Sequence, residues 1–532
     1  MPSVRPALMA GALLAAASFA SAQQAVDTTR LGDLVVTAAR IETPRAALPA
    51  SVTVVTGEEL RRRGFRFVAD WLRELPGAVV VETGSFGSVT SLFLRGGESD
   101  FVKLLIDGVP ANQPGGSLDL AHLGTADIER IEVVRGPASV LYGSDAVTGV
   151  IQVFTRQGGA GGRLSLLARG GSLGSSDLRA RVAGGTTRLG WSAGASRFGS
   201  DGSYPFNSGY ENWDAQARLT SRPGPRTDLS LAVRWGDAES HFPTDFAGVP
   251  VDSNQFTRDR TLTVGFDGGY RVSNRADVRV QASLLDADAR FTDAPDGEDD
   301  RAGYGFDASR RGEVRRTTVD VRGNLRAARG VTLTAGTEAW RESQRLFDST
   351  VSDFGDGASA EVDRFDARRT NLALYGQVLA DVGPAIDLQA GARWDDNEVF
   401  GGFGTWRVGA VYRPAAGVRV HGAAGTGFKQ PTFSEQFARS AFEVGNPALA
   451  PERSTSWEVA AEADLLRGAA TVAATWFDQR FDDLIGYLAA APGEPTYANV
   501  GRARARGVEV TVAVRPTEEL DISAGLTWLA TR

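Results

Sequence analysis

The sequence predicts an all-β transmembrane barrel preceded by a small α+β domain. Three observations predict it: an export signal at the N-terminus, a long C-terminal region of period-2 alternation, and connections that alternate between short and long.

Arg5 opens the chain with a positive charge, an apolar run follows from Ala7 to Leu14, and small residues continue to Phe19. Ala20-Ser21-Ala22 then fits a small-x-small cleavage site, so residues 1–22 read as a secretory signal cut before Gln23. The run is short for a membrane span, and no later stretch approaches the ~18 apolar residues that a membrane helix needs. An exported chain of this kind is either soluble beyond the inner membrane or inserted as a barrel.

Composition narrows the chemistry. The 532 residues include no Cys, which excludes disulfide scaffolds, thiolate metal sites and Cys nucleophiles. Three His, at 122, 241 and 421, leave little material for a His-based metal site. A net charge of −8 argues against nucleic acid as a partner, because phosphate binding needs a basic surface.

Residues 23–42 form a short polar lead, and residues 43–158 a compact mixed region. Val52–Val55 predicts a strand. Thr56 with Glu59 predicts a capping box at a helix start. A second helix is expected over Val68–Glu74, stopped by Pro76-Gly77, and strands over Lys103–Ile106 and Ile131–Val134.

From 163 to 532 the pattern is strand. In Ile386–Asp395, Ile386, Leu388, Ala390, Ala392 and Trp394 share one face, while Asp387, Gln389, Arg393 and Asp395 share the other. In Ser456–Leu465, Trp457, Val459, Ala461 and Ala463 oppose Ser456, Glu458, Glu462 and Asp464, and Val508, Val510 and Val512 oppose Glu509 and Thr511. About 17 strands can be counted this way. Soluble sandwiches also alternate, but the connections separate the two. Short ones (Gly184–Thr187, Ser221–Thr227, Arg271–Ala276, Ala327–Gly330, Asp381–Ala385, Arg413–Gly417) interleave with longer ones. The longer set is Gly199–Tyr210, Ala238–Thr257, Thr292–Arg311, Asp348–Asp366, Lys429–Arg453 and Gly486–Thr496. Short turns on one rim and long loops on the other are the asymmetry of bacterial outer-membrane barrels. Trp394, Trp406, Tyr412, Trp457 and Trp476 suit its interfacial aromatic girdles.

Several motifs resemble those of the TonB-dependent outer-membrane transporters. Asp33, Leu34, Val35, Val36, Thr37 and Ala38 resemble a TonB box, a β-prone run in a flexible lead suited to strand addition. Leu92–Gly97 (LFLRGG), Leu105–Pro110 (LIDGVP), Ile131–Gly143 (IEVVRGPASVLYG) and Ser144–Thr155 (SDAVTGVIQVFT) resemble the family's plug motifs in order and spacing. Gly427–Pro431, Gly445–Glu452, Trp457-Glu458 and Asn499–Glu509 resemble its barrel motifs. The resemblance implies an N-terminal plug inside a barrel of about 22 strands, opened by the inner-membrane protein TonB. It also implies that plug arginines Arg95 and Arg135 meet wall glutamates Glu458 and Glu509. An odd count near 17 falls about five short of that barrel, so closing C-terminal strands are expected to be missing, as in a fragment of a longer product.

The barrel motifs resemble the cobalamin transporters of the family most, while ferric-siderophore transporters share nearly all of them; cobalamin or a ferric siderophore stays open as the ligand. Substrate contacts are expected at the plug apices Ser85–Val89 and Asn112–Ser117, with Ser85, Phe86, Asn112 and Gln113 as candidates; plain turn chemistry is the alternative. No cofactor is required. Asp293, Asp296 and Asp299, with Glu298 and Asp300, and in a second loop Asp237, Asp245 and Asp252, offer oxygen donors for calcium or simply make solvated acidic loops. Gly170–Gly174 matches a nucleophile-elbow spacing, but that motif needs a strand-to-helix turn and here falls between strands, so no enzyme is expected. A passive porin or a binding-only surface receptor would leave the plug motifs or the box unexplained. The expected partners are TonB, outer-membrane lipid and the imported nutrient.

Overall fold

A computed structural model describes residues 34–245, 248–297, 303–353, 355–440, 443–489, 491, 493–517 and 519–532. The expected signal peptide, most of the polar lead, Asp33, Glu298, Asp299 and Asp300 lie outside the described residues.

The N-terminal domain is built on a five-stranded sheet ordered Ser51–Thr56, Ile128–Arg135, Gly149–Thr155, Val102–Ile106 and Val109–Pro110. Neighbours are antiparallel except the Val102–Ile106 and Gly149–Thr155 pair, which is parallel. A hairpin of Ala78–Glu82 and Thr90–Leu94 lies beside it, with helices Gly57–Arg62 and Val68–Leu72. Leu60, Val68, Leu72, Leu92, Leu94, Ile131, Val133 and Ile151 meet in one apolar core. Half of the expected capping box forms: Thr56 Oγ1 accepts from the Glu59 N–H at 3.2 Å. The second helix stops at Leu72, earlier than expected.

Seventeen strands, from Gly161–Gly170 to Leu520–Thr531, form one sheet, each antiparallel to the next. The first and last are not paired with each other, so among the described residues the wall is an open sheet. Its burial is inverted relative to a soluble protein. In Ile386–Asn397, Asp387, Gln389, Arg393 and Asp395 are buried, while Leu388 and Trp394 are exposed. Trp406, Tyr412, Trp457 and Trp476 also point outward. Polar residues facing a filled lumen and apolar residues facing out is the arrangement that a bilayer requires.

Two connections differ from expectation. Asp348–Asp366 is mostly strand: Val331–Asp353 and Ser359–Asp381 pair as far as Ser352↔Ser359. Strand Gly303–Ala328 likewise extends into the expected Thr292–Arg311 loop. Beyond the bilayer both faces of a strand meet water, so apolar alternation ceases while the backbone ladder continues. Gly170–Gly174 lies at a strand-to-strand connection.

Candidate functional site

Arg95 follows strand Thr90–Leu94 in a left-handed backbone conformation (φ 53°), which aims its side chain at the wall. Its guanidinium is 1% exposed. Nε and Nη2 donate to the two oxygens of Glu509 at 2.7 and 2.9 Å, and Nη1 donates to Glu458 Oε2 at 2.6 Å. Phe477 lies 4.8 Å beneath. Glu458 also accepts from the Ser51 N–H at 3.0 Å. Arg135 stands further off, 3.6 Å from Glu509, and donates to the Pro76 carbonyl at 3.3 Å. The four residues thus form one cluster around Arg95 rather than two equal pairs. Burial pushes both guanidiniums down; for Arg95 the two carboxylates more than offset it, and for Arg135 they do not. Gly77 makes the approach possible: its φ is 79°, and a Cβ there would stand 2.1 Å from Glu509 Oε1.

The residues resembling a TonB box do not lie free. Leu34–Val35 pairs with Thr43–Pro44, and Val35 packs with Ala39, Leu48, Ala50, Val52 and Val134. Thr37 is buried. The expected flexible lead is therefore docked over its described part, because its alternate apolar residues find a plug surface to cover.

Arg40, just beyond the box, was not singled out in the sequence. It reaches Asp320 Oδ2 at 2.6 Å and Tyr375 Oη at 2.9 Å, stacked near the Tyr142 and Tyr375 rings. Further lumenal clusters were also missed: Arg316 and Arg369 on Glu342, Arg393 on Glu338 and Asp395, and Lys429 on Asp100 and Glu452. Their one sequence signal is parity, each wall member lying on the polar face of its strand. A small cavity of about 50 Å³ lies between plug and wall here, lined by Lys103, Asp107, Tyr142, Gln281, Arg316 and Glu338 among others.

The apex candidates divide. Phe86 packs edge-on to Phe198, centroids 5.3 Å apart, and Ser85 accepts from the Ser88 N–H within its turn. Asn112 is fully buried: its Oδ1 accepts from Leu104 N–H, and its Nδ2 donates to the Val102 and Gly116 carbonyls. Its amide orders the loop and is not free for a ligand. Gln113 is exposed beside it. Arg316 donates to the Asn112 carbonyl at 2.9 Å, tying this apex to the wall. Above it, Leu285, Val314, Leu346, Phe365 and Ala367 share strand parity with lumen-facing Gln281, Arg316, Glu342 and Arg369. Arg310, on the same face, is paired with Asp348.

Asp237 and Asp293 lie on strands Thr227–His241 and Ala276–Asp293 and not in the expected loops, because the backbone ladder runs on past the apolar alternation. Asp237 is bound by Arg258 and Arg260, Asp245 accepts from Val249 N–H, Asp252 from Gln255 N–H, and Asp296 from Ser253 N–H. Among the described residues no group of three or more acidic or His side chains assembles to hold a metal.

Comparison with known proteins agrees with this architecture. Residues 44–150 match the TonB-dependent receptor plug domain, and residues 190–532 the TonB-dependent receptor-like β-barrel. The chain belongs to the TonB-dependent receptor family. It is 29% identical over 505 residues to the vitamin B12 transporter BtuB of Photobacterium profundum, covering 92% of this chain and 77% of that protein. The fold matches the outer-membrane ferripyoverdine receptor of Pseudomonas aeruginosa (TM-score 0.74, 18% identity, 94% of this chain and 73% of that one). It also matches the ferric enterobactin receptor PfeA of the same species (TM-score 0.72, 18% identity, 91% and 81%). This family consists of outer-membrane receptors and transporters, and a plug with a seventeen-stranded wall is what the described residues present.

Proposed function

We propose that this chain takes a scarce, large nutrient through the outer membrane, energised by TonB acting on Asp33–Ala38, and that the nutrient is cobalamin. Residues 1–22 serve as its export signal. The observation that carries the transport reading is the character of the plug–wall contact. Around Arg95 and Arg40 it is ionic and hydrogen-bonded, and such contacts can be exchanged for water when the plug is pulled. In this reading the Arg95 cluster seats the plug while remaining breakable, and the docked lead transmits the pull.

The mouth supports the choice of nutrient. A multiply anionic ferric chelate calls for uncommitted cations, yet Arg310, Arg316, Arg369 and Lys429 are each matched by a carboxylate. Leu346 and Phe365, both half-buried, offer apolar surface instead. A corrinoid, bulky and rimmed by neutral amides, suits such a lining, and the similarity to a vitamin B12 transporter points the same way.

Growth of a cobalamin-dependent strain lacking its own transporter tests this directly. The chain is expected to restore growth on limiting cobalamin and not on limiting chelated iron; the reverse result assigns a ferric siderophore. Deleting 33–38 is expected to abolish uptake while sparing ligand binding. Undiminished uptake would remove the TonB-driven mechanism.

A further inference from the structure

We infer that Glu132 is the positioning residue that holds Val36 and Thr37 of the TonB-box segment in a conformation unable to pair as a strand, next to Leu34–Val35, which is already paired with Thr43–Pro44. The inference rests on reading Asp33–Ala38 as the segment TonB engages.

Glu132 lies on Ile128–Arg135, inside the motif that follows Asp127, and is 0% exposed. One of its oxygens, Oε2, accepts three hydrogen bonds: from Val36 N–H at 3.0 Å, Thr37 N–H at 2.9 Å and Thr37 Oγ1 at 2.7 Å. The other, Oε1, accepts from Arg130 Nε at 2.8 Å, so the carboxylate cannot swing away freely. Arg130 is itself held over the Phe154 ring. From the far side, Tyr142 Oη donates to the Thr37 carbonyl at 2.8 Å.

This geometry bears on the backbone directly. In an extended strand successive N–H groups point to opposite edges. Two successive N–H groups converging on one oxygen form a concave anion nest. The Ala39 N–H donates to the Val36 carbonyl at 3.3 Å, which closes a turn over the same residues. Strand addition by a partner needs free, alternating N–H and C=O groups. Glu132 and Tyr142 therefore occupy the groups that pairing requires, at Val36 and Thr37, and the turn denies them the extended shape. Docking on Glu132 and pairing with TonB exclude one another, and breaking the Glu132 contacts becomes the step that exposes the box.

The chain has no native Cys, which makes a thiol reporter clean. Val35→Cys places one at a residue buried against the plug. The purified full chain in detergent, without ligand or TonB, is treated with a maleimide. Adding Glu132→Ala is expected to raise the labelling rate tenfold or more, and Tyr142→Phe to raise it less. A parallel reporter, Val133→Cys in the plug core, is expected to stay protected in the same background. A Val35→Cys rate within twofold of the parent overturns the inference. So does equal exposure of both reporters, which would make Glu132 a general stabiliser of the plug. Should Glu132→Ala not fold, Glu132→Leu, close in volume and without an acceptor, carries the same comparison. Because the labelling involves no TonB, its result is separate from the deletion of 33–38: uptake that survives the deletion removes the TonB reading and leaves the local clamp to be judged by the thiol alone.

Discussion

In the plug, Leu60, Leu72, Leu92 and Ile151 are enclosed, whereas in the wall Leu374, Leu388 and Trp394 face outward and Arg393, Asp395, Glu458 and Glu509 face in. Two parts of one chain sort the same residue types in opposite senses because they answer to different solvents. The plug is folded by withdrawing apolar surface from water. The wall satisfies its backbone through the strand ladder and leaves its apolar face to lipid. Where they meet, matched charges around Arg95 and Arg40 alternate with small apolar contacts, Phe101 and Val147 against Phe481 and Ala505, and Phe67 and Phe86 against Phe198.

The comparison can be broken most sharply at Arg95. Arg95→Ala leaves Glu458 and Glu509 buried without their main cation, and a loss of ~3–5 kcal/mol in plug stability is expected, read by chemical denaturation with a plug-located fluorophore. A loss well under ~1 kcal/mol would mean that the cluster is wet. The next contrast sets Leu92→Ala against Leu388→Ala. The buried plug leucine should cost ~2–5 kcal/mol and leave a cavity. The wall leucine, already exposed, should cost far less in unfolding assays in lipid bilayers. Equal costs would contradict the inverted burial.

A third test uses pH at the plug–wall boundary. Burial pushes the Asp127 carboxyl up from 3.8 to about 6, against the pull of Arg181 and Arg156. Between pH about 4 and about 6 the folded chain keeps a proton that the unfolded chain has released. This residue's contribution to stability should therefore fall as pH rises through that window and level off above it. Melting of the parent and of Asp127→Asn is expected to differ more at pH about 7 than at pH about 4. A constant difference would place Asp127 in contact with water. The smallest expected effect is Thr56→Ala, which removes a helix cap inside the plug alone; it should cost about 1 kcal/mol and leave wall unfolding unchanged.

Much of this was legible in the sequence, for physical reasons that differ by region. Alternation in Ile386–Asp395 reports two solvents on two faces, so that strand and its outward Trp394 could be read directly. The same logic failed over Ser359–Asp366, because SAEVDRFD carries no apolar period although it continues the ladder. Glu458 and Glu509 were legible from parity together with motif resemblance. Arg40 was not: its partners Asp320 and Tyr375 are 280 and 335 residues away, and no local pattern links them. Asn112 misled because a loop amide looks the same in sequence whether it meets a ligand or staples its own turn.

Strand length varies widely around the wall. Gly161–Gly170 has 10 residues and Gly303–Ala328 has 26. At about 3.4 Å per residue, the longer strand has a contour of roughly 90 Å, far more than the 9–11 residues that a tilted strand needs to cross a bilayer. The rim is therefore uneven, raised like an upturned collar over Gly303–Ala328, Val331–Asp353 and Ser359–Asp381. A solute skimming the cell surface meets that upturned panel as a backstop before it reaches the plug. Trimming the hairpin between 345 and 366 should slow capture while leaving the depth of the seat, and hence the final affinity, nearly as it was.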